Sequence, residues 1–236
     1  MTTEGTADAH WVRWHRSYED PDSPLSARLR LVQAGVRRVL YDHLPGPIRV
    51  ASMCAGQGRD VIDVVASHAR RADVRAVLVE LDPGLVEFAC ARAAAVGLGD
   101  LIEVVQGDAA LVRYYSDVLP ADLVLVCGVF GNISETDIRA TVTALPSLCA
   151  PGATVIWTRH RRPPDLTPTI RAWFAAAGFE EVSFDAPEPY VLSVGCPRLR
   201  PAPADEAVAR STAAVPDAAT LDRYLFDFTG DGALPA

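Results

Sequence analysis

The 236-residue chain carries 30 acidic side chains against 22 basic ones, a net charge of −8 at neutral pH, and half of its residues are apolar. That length suits one buried core with additions at its ends, the composition is globular rather than disordered, and the charge gives little electrostatic reason to bind a nucleic-acid backbone. Lysine is absent, so every basic residue counted is arginine, which excludes a Schiff-base lysine for pyridoxal phosphate chemistry and a P-loop lysine.

The chain opens on Met-Thr-Thr-Glu-Gly-Thr-Ala-Asp, which lacks the basic and apolar regions of a secretory signal. A polar stretch with Trp11, Trp14 and Tyr18 follows. Ser23-Pro24 then reads as an N-cap and first helical position. Leu25, Leu29, Val32, Val36, Val39 and Leu40 recur at helical spacing, predicting a long amphipathic helix to about Leu44, ended by Pro45-Gly46-Pro47.

From there strand and helix patterns alternate. Strands are predicted over 48–54, 74–80, 101–106, 123–127 and 153–158, the last after a break at Pro151-Gly152. Helices are predicted over 60–70 and 84–96, and again after Ser134, where Ile138, Val142 and Leu145 form a buried stripe. Apolar strands without alternation, separated by helices, imply a parallel sheet covered on both faces, and hence an α/β fold. After a helix over 167–177, strands over 179–184 and 190–196 are separated by only Asp-Ala-Pro-Glu-Pro. That link is too short for a parallel crossover, so one terminal strand runs antiparallel.

Beyond Leu199 the chain is rich in Ala, Pro and Asp until Leu221-Asp-Arg-Tyr-Leu-Phe-Asp-Phe228, which reads as a connector and a short amphipathic segment docking on the domain or on a partner. The expected organisation is residues 1–46 as lid and amphipathic helix, 47–199 as core, and 200–236 as connector and terminal segment. No apolar run reaches the roughly 18 residues of a membrane span. A cytoplasmic protein with no membrane partner is expected, possible as a homo-oligomer. Five scattered cysteines read as small core residues, and five histidines show no ligand spacing, so no metal is expected.

In such a sheet the ligand crevice lies at the carboxyl ends of the strands. After the first strand, Ala55-Gly-Gln-Gly-Arg-Asp60 lets the backbone turn tightly and approach a ligand. The dinucleotide register fails, because Val61 stands where Gly or Ala is required. After the second strand, Glu80 lies 24 residues beyond Gly56, near the spacing at which an acid meets ribose hydroxyls, while Asp82 before Pro83 suits a helix cap. After the third, Gly107-Asp108-Ala109 offers a carboxylate that can accept an adenine amine or serve as a plain turn. After the fourth, Cys127-Gly-Val-Phe-Gly-Asn132 supplies an apolar wall with one amide.

These four pieces in this order resemble the class I S-adenosylmethionine-dependent methyltransferases over about 48–196. Cys-Ala-Gly-Gln-Gly-Arg-Asp, Cys-Gly-Val-Phe-Gly-Asn-Ile and Val-Ile-Trp-Thr-Arg-His resemble in particular a group of bacterial methyltransferases of unassigned acceptor. The resemblance implies a Rossmann-like, mostly parallel seven-stranded sheet closed by an antiparallel C-terminal hairpin, with S-adenosyl-L-methionine as cofactor. It implies glycine-loop contacts at Ala55, Gly56 and Gly58, a ribose acid at Glu80, adenine contacts at Asp108 and Ala109, and a further contact at Cys127. The family's first loop acid is replaced by Ser52 or Met53, which removes one expected contact to the methionine amine. Tyr18 and Arg28, from the segment before strand one, are candidates for the methionine carboxylate.

Methyl transfer needs alignment and exclusion of water more than a base. His160, after strand five, and His15, in the N-terminal segment, could deprotonate a hydroxyl; each can equally be structural. Asn132 could orient an acceptor or cap a turn. The loop after strand four lacks the amide-clamping Asn/Asp-Pro-Pro-Tyr sequence and the carboxylates of polyamine synthases or Mg²⁺-dependent catechol enzymes. A small-molecule acceptor with an O, N or C nucleophile is therefore expected. The competing expectation is a non-catalytic S-adenosylmethionine-binding module that meets a protein partner through its tail.

Overall fold

The computed structural model describes residues 18–201 and 217–228. His15 lies outside the described residues.

Ser23 accepts the backbone N–H of Ser26 at 3.1 Å and starts α1 (Pro24–Asp42) as its sequence predicts. The core then follows as β1 (Ile48–Met53), α2 (Ile62–Ser67), β2 (Val74–Glu80), α3 (Pro83–Ala95), β3 (Ile102–Gln106), β4 (Ala121–Val126), α4 (Glu135–Ala144), β5 (Cys149–His160), α5 (Thr167–Ala176), β6 (Phe179–Asp185) and β7 (Leu192–Leu199). One sheet of seven strands takes the order β3-β2-β1-β4-β5-β7-β6. Neighbours from β3 to β5 pair in parallel, and β7 inserts antiparallel between β5 and β6. Among the described residues no helix is long and apolar enough to cross a membrane.

Strand periodicity splits the core in two. Val50, Ala76 and Leu78 face one side, packing with Val32, Val36 and Leu40 of α1 and Ala89 and Ala93 of α3. Ala51, Met53, Val77 and Val79 face the other, with Ile138 and Val142 of α4 and Ile170 and Phe174 of α5. Both faces are covered, so the strands can be apolar throughout. Trp157 on β5 stacks on Phe174 with ring centroids 5.9 Å apart. Gly195 on β7 makes room for that indole, since a Cβ there would lie 2.3 Å from Trp157 Nε1.

Three elements differ from their sequence patterns. The pattern over 60–70 yields only a six-residue helix, because Arg70 lies beyond it and donates to the carbonyls of His43, Leu44 and Gly46, tying down the link between α1 and β1. β5 begins at Cys149, ahead of Pro151-Gly152. A register shift between Ala121 and Leu123 absorbs that pair as a bulge, so the missing N–H of proline does not end the strand. β7 begins two residues later and ends three later than its pattern, with Leu199 pairing Phe179.

The tail docks on its own domain. After one helical turn, α6 (Ala218–Leu221), the chain runs extended: Tyr224 bridges Leu111, Leu225 N–H donates to Ala110 O at 2.9 Å, and Thr141 Oγ1 donates to Leu225 O at 3.0 Å. Leu225 and Phe226 are buried.

Candidate active site

The carboxyl ends of the parallel strands open into a cavity of about 740 Å³. Its first wall is the loop after β1, where Cys54, Gly56 and Gly58 all have positive φ (50°, 56° and 65°) and turn the chain sharply into α2. This conformation brings the Gly56 N–H to 2.8 Å from Glu80 Oε2. Glu80 Oε1 accepts the N–H groups of Leu81 at 2.8 Å and Asp82 at 3.0 Å. Three backbone donors thus fix the carboxylate at the cavity wall, and its four lone-pair directions leave capacity for a ligand hydroxyl. Asp82 caps α3 through the Leu85 N–H at 2.9 Å.

The next wall is the loop after β3. Asp108 Oδ1 accepts the Ala110 N–H, and Oδ2 accepts the Tyr224 hydroxyl, each at 3.0 Å. Burial and the Asp108 charge push the Tyr224 phenol up to about 12, so it remains a donor. Ala109 lines the cavity beside Asp108, and Phe226 and Phe228 of the tail line it too.

The third wall comes from α1 and the segment preceding it. Arg28 Nη2 donates to Tyr18 Oη at 3.0 Å, and both residues line the cavity with Asp60. Burial raises the Asp60 carboxyl to about 6, against the opposing pull of Arg28. The thiols of Cys54 and Cys127 also line the cavity, and burial raises both, so they stay protonated and are poor nucleophiles.

The far end is formed by the loop after β4 and the end of β5. Asn132 Nδ2 donates to Gly128 O at 2.6 Å, and the Gly128 N–H donates to Thr158 Oγ1 at 2.8 Å. Burial, with the charges of Arg159 and Arg162, lowers the His160 pKa. His160 Nδ1 accepts the Arg162 N–H at 3.3 Å, which leaves the proton of the neutral ring on Nε2.

Ten of the twelve sequence-derived candidates therefore meet at one cavity: Ala55, Gly56, Glu80, Asp108, Ala109, Cys127, Tyr18, Arg28, Asn132 and His160. Gly58 does not line it. A Cβ on Gly58 would lie 2.6 Å from Ile62 Cδ1 and 2.9 Å from Leu78 Cδ2, so this glycine serves packing behind the loop. Ser52 and Met53, which stand in for the family's loop acid, do not line the cavity either; both are buried, and Ser52 Oγ has no hydrogen-bond partner. Asp60, in the same loop, supplies a carboxylate to the cavity instead. Sequence reasoning read residues 55–60 as a ligand loop, 159–162 as a basic patch and 221–228 as a docking segment, but named none of Asp60, Arg159, Arg162, Phe226 or Phe228 as a site residue. The alternation Tyr224, Phe226, Phe228 was the available signal for an extended tail with one face on the site.

Residues 27–177 match the family model described as "Putative methyltransferase". The chain belongs to that family. Its fold is shared with solved enzymes at low identity. Magnesium protoporphyrin IX methyltransferase from Synechocystis with bound S-adenosylmethionine is 15% identical, with a TM-score of 0.62 over 80% of this chain and 91% of that one. A methyltransferase from Thiobacillus denitrificans in complex with S-adenosyl-L-homocysteine is 16% identical, with a TM-score of 0.54 over 78% and 93%. A TehB-like methyltransferase from Corynebacterium glutamicum is 12% identical, with a TM-score of 0.56 over 84% and 100%. No curated protein matches the chain. The family match ends at residue 177, so the hairpin strands and the tail, with Phe226 and Phe228, lie beyond it.

Proposed function

We propose that this methyltransferase takes S-adenosyl-L-methionine as cofactor and transfers its methyl group to a nucleophilic O, N or C atom of a small molecule. The observation that carries this is the convergence of the Gly56 turn, the Glu80 carboxylate and the Asp108-Ala109 loop on one cavity, in the order that the methyltransferase fold requires. The residues fit the group. Glu80, oriented by three N–H donors, has acceptor capacity for ribose hydroxyls. Asp108 and Ala109, which line the cavity after β3, would take the adenine. Arg28, steadied by Tyr18, suits the methionine carboxylate, and Asp60 faces the same region with a charge suited to the ammonium.

The cofactor brings a methyl group already activated on a sulfonium, so the chain's task is to bind, align and keep water out. Residues 18–46 form one wall, and the tail forms another. Asn132 holds the loop after β4 through Gly128 O and leaves its Oδ1 to an acceptor donor group. His160, neutral at pH 7 and protonated on Nε2, donates to an acceptor oxygen and orients it. A base is required only when the nucleophile arrives protonated, and His15 is the remaining candidate for that role. A cytoplasmic setting without nucleic-acid partners accords with the −8 charge.

A non-catalytic module working through its tail is less well supported, because Leu225 and Phe226 are buried against the chain's own core and are not available to a partner. Replacing Glu80 with Ala removes the ribose acceptor and strands three N–H groups; S-adenosylhomocysteine binding should weaken by about 1–3 kcal/mol in calorimetry. Unchanged affinity would remove Glu80 from the cofactor site.

A further inference from the structure

The cavity is electrically polarised along its length. Glu80, Asp82 and Asp108 line the end proposed for the nucleoside, whereas Arg159, His160 and Arg162 line the end beyond the loop after β4. Among the described residues neither Arg159 nor Arg162 is in an ion pair, whereas Arg161 between them is. Arg159 gives one donor to Phe130 O, and its Nε is buried with no hydrogen-bond partner. A guanidinium carries five donors in a plane, so most of this one's capacity is unmet. Arg161, between the two, also has a buried Nε without a partner, but its guanidinium is turned to the β6–β7 link, donating to Tyr190 O at 3.0 Å and to the exposed Glu188 at 3.3 Å.

The charges that face this pair are few. Asp165 acts on both Arg159 and His160, and one of its oxygens accepts from the N–H and hydroxyl of Thr167. Glu135, at the exposed start of α4, acts on Arg159 from solvent. Both carboxylates are exposed and screened by solvent, so the two arginines keep net positive character toward an anion in the cavity. Apolar side chains stand beside these polar groups. Leu192 pairs with His160 across the sheet, Val191 adjoins it, and Leu29 of α1 lines the same cavity. Tyr190 Oη donates to Asp22 O at 3.3 Å, tying the β6–β7 link to the start of α1 over this end.

We propose that the methyl acceptor is a small organic acid, anchored by its carboxylate on Arg159 and Arg162 with its apolar body against Leu29, Val191 and Leu192. The inference rests on the methyl-transfer reading and specifies its acceptor. Burial of the Arg159 guanidinium, which lowers its pKa, is relieved when an anion pairs with it. The bidentate fork of arginine suits a planar carboxylate.

The test measures 3-phenylpropionate, its amide and phenyl phosphate as probes by calorimetry on the full chain, with and without S-adenosylhomocysteine. Arg162→Gln is the first variant, since the Arg162 side chain holds no structural bond among the described residues. The carboxylate should bind at least tenfold tighter than the amide, Arg162→Gln should abolish that difference, and S-adenosylhomocysteine affinity should stay within twofold. Arg159→Lys, which keeps the charge and loses the fork, should weaken the carboxylate several-fold. Equal binding of carboxylate and amide alongside normal S-adenosylhomocysteine binding overturns the inference and leaves the cofactor reading standing. Carboxylate binding that depends on Arg162 without any S-adenosylhomocysteine binding supports the anion site and overturns the cofactor reading. Tighter binding of phenyl phosphate, or loss of S-adenosylhomocysteine rather than carboxylate affinity in Arg162→Gln, also overturns it.

Discussion

At the scale of single residues, the cavity depends on how carboxylates are held. Glu80 is fixed by three backbone N–H groups, while Asp60 is half-buried on the cavity wall with Arg28, and desolvation raises its carboxyl to about 6 from an ordinary 3.8. A raised folded-state pKa means that the native protein binds this proton more tightly than the unfolded chain. The stabilisation is therefore complete below about pH 4 and is lost as pH rises through about 6. Asp60→Asn should accordingly melt higher than the parent at pH 7 without ligand, and the gap should close near pH 4. A gap independent of pH would show that Asp60 does not titrate as described. The carboxylates were legible in the sequence because each directly follows an apolar strand, where the fold puts its ligand. Asp60 was less so, since its importance comes from desolvation on a cavity wall shared with Arg28, a residue of another element.

At the scale of elements, the strands follow their apolar runs to within a few residues because both faces of the sheet are covered, which keeps the central strands β1, β2, β4 and β5 apolar over most of their length. The short α2 and the long β5 were not legible. One is limited by Arg70 reaching back to carbonyls 24 to 27 residues earlier, and the other is carried through Pro151 by a bulge set by its neighbour β4. The turn after β1 makes the sharpest demand on sequence. At Gly58 a side chain would need φ near +65° and would drive a Cβ into Ile62 and Leu78. Gly58→Ala should lower the urea midpoint by an amount corresponding to about 1–3 kcal/mol, with an unchanged denaturant slope. A neutral substitution would mean that the turn is looser than its contacts require.

At the scale of the whole molecule, a sheet common to distant enzymes is individualised by its two ends. α1 and the segment before it bring Arg28 and Tyr18 to the cavity from one side, and the tail brings Tyr224 to Asp108 and Phe226 and Phe228 to the wall from the other. Sequence marked the tail as a segment that docks, but its seat lies 84 to 116 residues away along the chain. Removing residues 217–236 should unseat Asp108 and open the wall, weakening S-adenosylhomocysteine at least tenfold; equal affinity would show that the tail merely covers the core. The central claim is that the cavity binds the methyl-donor cofactor. Calorimetric titration of the intact protein with S-adenosylhomocysteine should give one site per chain with micromolar affinity or tighter, and folded protein that takes up no S-adenosylhomocysteine would contradict it.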